Sequence, residues 1–226
     1  MSAEKTVSVI LSVSPYRETS CILRLFTNTR GLVHGIAKGV RGGGKSSVPV
    51  DRGFLLEANL YYRPNRELHT LGSLHVTGFF PGIRSDIIKS SIRDIALELY
   101  LKSITQSEPH PELFELLVKF LGGMDGPAAS RNLYPLLWRF IYRYCRFMGF
   151  GIDRENSNVR GIDTAVIKSI DRADDADGPD GAGNAPPSNR SNGENLRITE
   201  LLLQYCRQHL DIRTHFNALD FLRSLY

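Results

Sequence analysis

A chain of 226 residues has room for one large domain or two small ones, and 42% apolar content suffices to build cores, which excludes disorder along the whole length. No apolar run approaches the roughly 18 residues of a membrane helix, and the apolar stretch at residues 7–13 is broken by serines, unlike a signal peptide. Net charge is only +4, yet residues 1–80 hold ten lysines and arginines against five acids, while residues 81–226 hold eighteen against nineteen. That asymmetry is expected of an N-terminal part that meets a polyanion. Cys21, Cys145 and Cys206 stand singly, which suits a reducing cytoplasm better than a disulfide framework.

The first 80 residues read as strands. Val7, Val9, Leu11 and Val13 alternate as on one face of a half-buried strand. Residues 21–26 continue the theme, and Asn28-Thr29-Arg30-Gly31 is a turn closing a hairpin onto residues 32–38. After a glycine-rich loop come residues 54–62, a turn at Arg63-Pro64-Asn65, and residues 68–76. Five short strands with one long loop suit a small closed barrel, which leaves no exposed edge.

The period then changes. Ile88, Ile92, Ile95 and Leu99 recur at helical spacing behind Ser85-Asp86. Pro111-Glu112 opens a second helix with a stop at Gly122-Gly123, and a third runs from Leu133 to Gly149, with Pro135 tolerable in its first turn. Residues 171–195 contain no large apolar side chain and read as a disordered loop within a domain spanning 81–226. Two helices follow, on Ile198, Leu201, Leu202 and Tyr205, then on Leu219, Leu222 and Tyr226.

Gly39 to Ser46 satisfies the phosphate-loop pattern G-x-x-x-x-G-K-[ST], the basis of an alternative reading as a P-loop nucleotide hydrolase. That chemistry needs a helix N-terminus after the loop to hold phosphates, and Ser47-Val48-Pro49-Val50-Asp51-Arg52-Gly53 cannot open one. As a flexible cationic segment the same loop brings Lys38, Arg41, Lys45 and Arg52 around glycines, suited to nucleic-acid phosphates. Arg63 and Arg66, beside Tyr61 and Tyr62, extend the track with aromatics for base stacking. On the third helix Arg139, Arg143 and Arg146 form a basic stripe, solvated or a dock for an acidic peptide, with Trp138 and Tyr142 as an aromatic wall. The histidines show no metal-ligand spacing and the carboxylates at 174–180 lie in the loop, so neither catalysis nor a metal or cofactor is expected.

Ser14-Pro15-Tyr16-Arg17-Glu18-Thr19-Ser20, Leu25-Phe26-Thr27, Gly31-Leu32-Val33 and Ile36-Ala37-Lys38-Gly39-Val40-Arg41 resemble the opening of RecO recombination mediators. Leu68-His69-Thr70-Leu71, Glu108-Pro109-His110-Pro111-Glu112, Arg139-Phe140 through Gly149-Phe150-Gly151 and Leu219-Asp220-Phe221-Leu222 are similar too. The resemblance implies an α+β chain: an N-terminal five-stranded OB-type β-barrel at 1–80, then an all-helical C-terminal domain, without enzymatic activity. It further implies binding and annealing of single-stranded DNA, contact with the C-terminal tail of the single-strand-binding protein near Arg139, to which Arg143 one helical turn on adds a second cation, and RecA loading with RecR. Many relatives carry a four-cysteine zinc module where this chain has none at 153–161, so zinc is not carried over.

Overall fold

The computed structural model describes residues 3–41, 48–105, 108–126, 133–152, 161–175 and 190–226, with backbone alone for 171–175. The chain divides into two compact units, Met1–Phe80 with Ile104–Phe114, and Pro81–Ser103 with Glu115–Tyr226.

Five strands make the first unit: β1 (Glu4–Tyr16), β2 (Ser20–Thr27), β3 (Gly31–Ala37), β4 (Leu55–Tyr61) and β5 (Leu68–Gly78). They close in the order β1-β2-β3-β5-β4, β1 pairing with both β2 and β4, and β3 running parallel to β5. This is the OB-type barrel, and closure pairs every strand on both sides. Its core is built from Ile10, Leu23, Leu25, Val33, Leu56, Leu60 and Leu71 among others, with Val13 packed against it.

The expected face Val7-Val9-Leu11-Val13 is therefore corrected. A β-bulge between Ile10 and Ser12 switches the strand's parity, so Ile10 faces inward before it and Val13 after it. Val9 pairs with Phe26 on the outer face, and both are buried, with the Phe114 ring packed 6.2 Å from that of Phe26.

The second unit holds seven helices among the described residues: α1 (Pro81–Arg84), α2 (Ile87–Ser103), α3 (Pro111–Asp125, begun in the first unit), α4 (Leu133–Phe147), α5 (Thr164–Asp175), α6 (Asn192–His209) and α7 (Asn217–Ser224). Asp86 caps α2, its Oδ1 accepting from the N–H groups of Ile88 and Lys89 at 2.8 and 3.1 Å. Pro135 falls in the first turn of α4, where no N–H is needed. Gly122-Gly123 do not stop α3. The helix continues to Asp125 because Met124 is fully buried and Asp125 Oδ1 accepts from Gly82 and Ile83, which fixes the last turn.

The 171–195 loop is narrower than its composition suggests. Backbone helix reaches Asp175, and α6 begins at Asn192 behind a capping box. Ser191 Oγ accepts from Glu194 N–H while Glu194 Oε2 accepts from Ser191 N–H at 2.8 Å, which satisfies donors that would otherwise be orphaned. Residues 176–189 lie outside the described residues.

Candidate nucleic-acid interface

Side chains on one strand alternate between core and surface, so the core residues of β2 and β3 fix which neighbours face out. With Cys21, Leu23 and Leu25 inside, Ile22 and Arg24 point outward; with Val33 and Ala37 inside, His34 and Ile36 do. Pairing aligns them: Arg24 lies opposite His34 and Ile22 opposite Ile36. On β5, Leu68 continues the first row and Thr70 the second, and Tyr61 of β4 stands opposite Thr70. The outer face thus carries a half-buried row of Ile22, Ile36, Thr70 and Tyr61 beside a polar row of exposed Arg24 and half-buried His34.

At the far end of β3 the face opens into a groove of about 730 Å³. The β1–β2 turn supplies Tyr16, Arg17, Glu18 and Thr19, and Ile36, Lys38 and Thr70 form the opposite wall. Arg41 joins this end because its N–H donates to the Thr19 carbonyl at 3.0 Å. Lys38, Arg41 and Arg17 are all exposed there. The arrangement offers cations for phosphates and an apolar row for unstacked bases.

Of the cations singled out in the sequence, the fold gathers Lys38 and Arg41 at the groove. Arg52 precedes β4 and Arg63 follows it, so the strand's seven residues, roughly 20 Å, keep them apart. Arg63 and Arg66 belong to the β4–β5 turn at the opposite end, where Arg63 N–H donates to His69 Nδ1 at 3.2 Å. Lys45, with most of the Gly39–Ser46 pattern, lies outside the described residues. No helix follows that loop: residues 48–54 lead through a turn into β4. Tyr62 is not a free stacking surface, since its ring lies 4.5 Å from His69 and under the Arg30 guanidinium at 4.1 Å. Arg17, Arg24, His34 and the two isoleucines are further candidates that sequence reasoning misses, and outward parity on β2 and β3 marks four of them once the pairing is known.

Burial, with the charges of Arg30 and His34 nearby, holds the His69 pKa below its ordinary value; burial and Arg24 do the same for His34. Both rings take up a proton less readily in the fold than in the unfolded chain, where a histidine does so near pH 6.5. The unfolded state therefore binds more protons below that pH, and stability falls on acidification. Urea unfolding at pH 7.5 and 5.5 should show that loss, and a smaller loss for His69→Asn, whose amide oxygen can still accept from Arg63. Equal losses in both proteins would remove His69 from the effect.

In the helical unit the basic stripe of α4 is only partly at the surface. Arg139 is 5% exposed, Arg143 half-buried and Arg146 exposed. The aromatic wall expected of Trp138 and Tyr142 is corrected: both are buried, and Trp138 Nε1 donates to Thr199 Oγ1 of α6 at 2.9 Å. Seven residues further along each helix, Cys145 and Cys206 Sγ atoms meet at 3.4 Å, so α6 covers this side of α4 in parallel register. Among the described residues no three potential ligands gather as a metal site, and no helix is long and apolar enough to cross a membrane.

The family model for recombination protein O, N terminal, matches residues 1–80, and its C-terminal counterpart matches residues 84–179. Among curated proteins, DNA repair protein RecO of Anaeromyxobacter sp. (strain Fw109-5) is 32% identical over 131 residues, 57% of this chain and 51% of that protein. DNA repair protein RecO of Syntrophobacter fumaroxidans is 29% identical over 162 residues, 71% of this chain and 63% of that protein. That of Bartonella tribocorum is 30% identical over 151 residues, 66% of this chain and 58% of that protein. The chain thus spans between half and two thirds of the length of these relatives. With the barrel matched by one terminal model and most of the helical part by the other, in order, the chain belongs to the RecO family.

Proposed function

We propose that this chain acts in DNA repair and homologous recombination as a non-enzymatic mediator in the cytoplasm. It binds and anneals single-stranded DNA on the outer face of its barrel and helps load RecA with RecR. The observation that carries the reading is the alignment of Ile22 with Ile36 and of Arg24 with His34, ending at Lys38, Arg41 and Arg17. Apolar side chains beside cations match an unstacked strand, whose bases and phosphates are both accessible. Arg52, Arg63 and Arg66 are proposed to extend the positive field beyond this face, and Lys45 is proposed to add a further cation. Mixing two complementary labelled strands tests annealing: the chain should accelerate duplex formation, and an unchanged rate would sink this part of the reading.

Arg139 and Arg143 are proposed as the contact for the acidic C-terminal tail of the single-strand-binding protein. The half-buried Arg143 is the test position, because reversing buried Arg139 would also disturb packing. Arg143→Glu should weaken a fluorescent tail peptide about tenfold or more, the weight of one charge-assisted hydrogen bond. Unchanged peptide affinity would remove α4 as the dock. The P-loop hydrolase reading gains nothing here, since residues 48–54 place no helix behind the glycines.

A further inference from the structure

The groove beside the β1–β2 turn holds a side chain that phosphate binding does not account for. Glu18 lines the groove together with Arg17 and Lys38, and all three are exposed. Among the described residues neither Glu18 nor Lys38 has an ion-pair partner, so the carboxylate is not neutralised by its neighbours. Arg17 instead lies with its guanidinium 5.2 Å from the Tyr16 ring centre. The turn that presents them is fixed. Tyr16 pairs with Ser20 across the hairpin, the Thr19 carbonyl accepts from Arg41 N–H, and Arg17 is held at φ +54°, a left-handed conformation uncommon outside glycine. Backbone strain of this kind persists where the surroundings over-determine it.

A carboxylate at this position opposes a polyanion, so it needs a hydrogen-bond donor rather than a phosphate. Nucleic acid offers one such class, the exocyclic amino groups of cytosine, adenine and guanine. Thymine has none, and its ring N–H lies between two carbonyl oxygens that repel a carboxylate. We propose that this groove is a base-reading subsite in which Glu18 accepts a hydrogen bond from the exocyclic amino group of one unstacked base. Half-buried Tyr16 and Ile36 offer apolar surface to that base, while Arg17 and Lys38 take the adjacent phosphates. The inference rests on the barrel face binding single-stranded DNA, and deepens it: the face prefers amino-bearing bases to thymine.

Fluorescence anisotropy at pH 7.5 and one salt concentration, with labelled oligo(dC) and oligo(dT) of equal length, tests it. Cytosine and thymine share ring size, so the comparison isolates the amino group. The unaltered chain should bind oligo(dC) more tightly by about tenfold or more, the weight of one hydrogen bond to a charged acceptor. Glu18→Ala and Glu18→Gln should bring the ratio close to one while binding oligo(dT) at least as tightly as before, since a repulsive charge is gone. Equal affinity of the unaltered chain for both oligonucleotides, or a ratio that survives in both variants, overturns the subsite alone. Failure to bind either oligonucleotide overturns the DNA-binding reading itself.

Discussion

Replacing Gly31 with alanine is expected to cost about 2–5 kcal/mol of stability, the sum of two penalties. The residue begins β3 at φ +62°, where an L side chain is disfavoured by about 1–2 kcal/mol. A Cβ there would also stand 1.9 Å from the carbonyl oxygen of Glu108, a backbone atom that cannot rotate away. Relief requires residues 108–114 to shift, and Phe114 among them packs on buried Phe26. Gly39 supplies the control, because it also has positive φ (+73°) but nothing within 4 Å of its would-be Cβ. Gly39→Ala should therefore cost only the conformational part, about 1–2 kcal/mol. Urea unfolding followed by circular dichroism separates the two, and equal costs would show that the close approach of Glu108 is not what demands glycine.

Alanine at Arg17, Arg24 and Lys38 together is expected to weaken single-stranded DNA binding by about 10³-fold or more at low salt, if each contributes one charge-assisted phosphate contact. The dependence of log affinity on log salt should become shallower by up to about 2, roughly 0.7 for each phosphate no longer neutralised. Because none of the three is buried, the variant should unfold at nearly the same urea concentration as the unaltered chain. Arg52→Ala, on the other side of β4 from Arg63 and outside the outward row, should have a much smaller effect. If the triple variant keeps its affinity and salt slope, the outer face of β2 and β3 is not where phosphates sit.

The barrel is legible in the sequence because alternation, turn residues and strand lengths agree over the first 80 residues. Which way β1 faces is not. Apolar residues at 7, 9, 11 and 13 point to one face, with Ile10 the single apolar residue of the other parity. Yet the bulge at Ile10/Ser12 turns Ile10 inward and leaves buried Val9 on the outer face, so alternation alone does not tell barrel interior from covered exterior. The same ambiguity hides Ile22 and Ile36. In an apolar run both faces look like core, and their outward direction emerges only from pairing. Counting charge in one dimension finds Lys38 and Arg41 but groups them with Arg63 and Arg66, which the barrel places at its other end. In the helical part, reading from the last apolar residue extends the loop to 195, although Ser191 and Glu194 already spell a capping box. Helix α5 has a readable start as well: Asp163 Oδ1 accepts from Ala165 N–H at 2.8 Å, ahead of Val166, Ile167 and Ile170. Arg139 is hidden for a different reason. An arginine at helical spacing with Arg143 and Arg146 looks like a surface stripe, and its burial depends on helices distant in sequence.

Titration of the unaltered chain with a single-stranded oligonucleotide and with a duplex of equal length, each at about 50 and about 200 mM salt, tests the DNA-binding role most directly. Several phosphate contacts on the barrel face predict single-strand affinity that falls as salt rises, by about 0.7 in log affinity per log unit of salt for each contact. The apolar row of Ile22, Ile36 and Tyr61 predicts tighter binding to the single strand than to the duplex, whose bases are stacked out of reach. Absence of single-strand binding at the lower salt concentration, or equal affinity for strand and duplex at both, would contradict it.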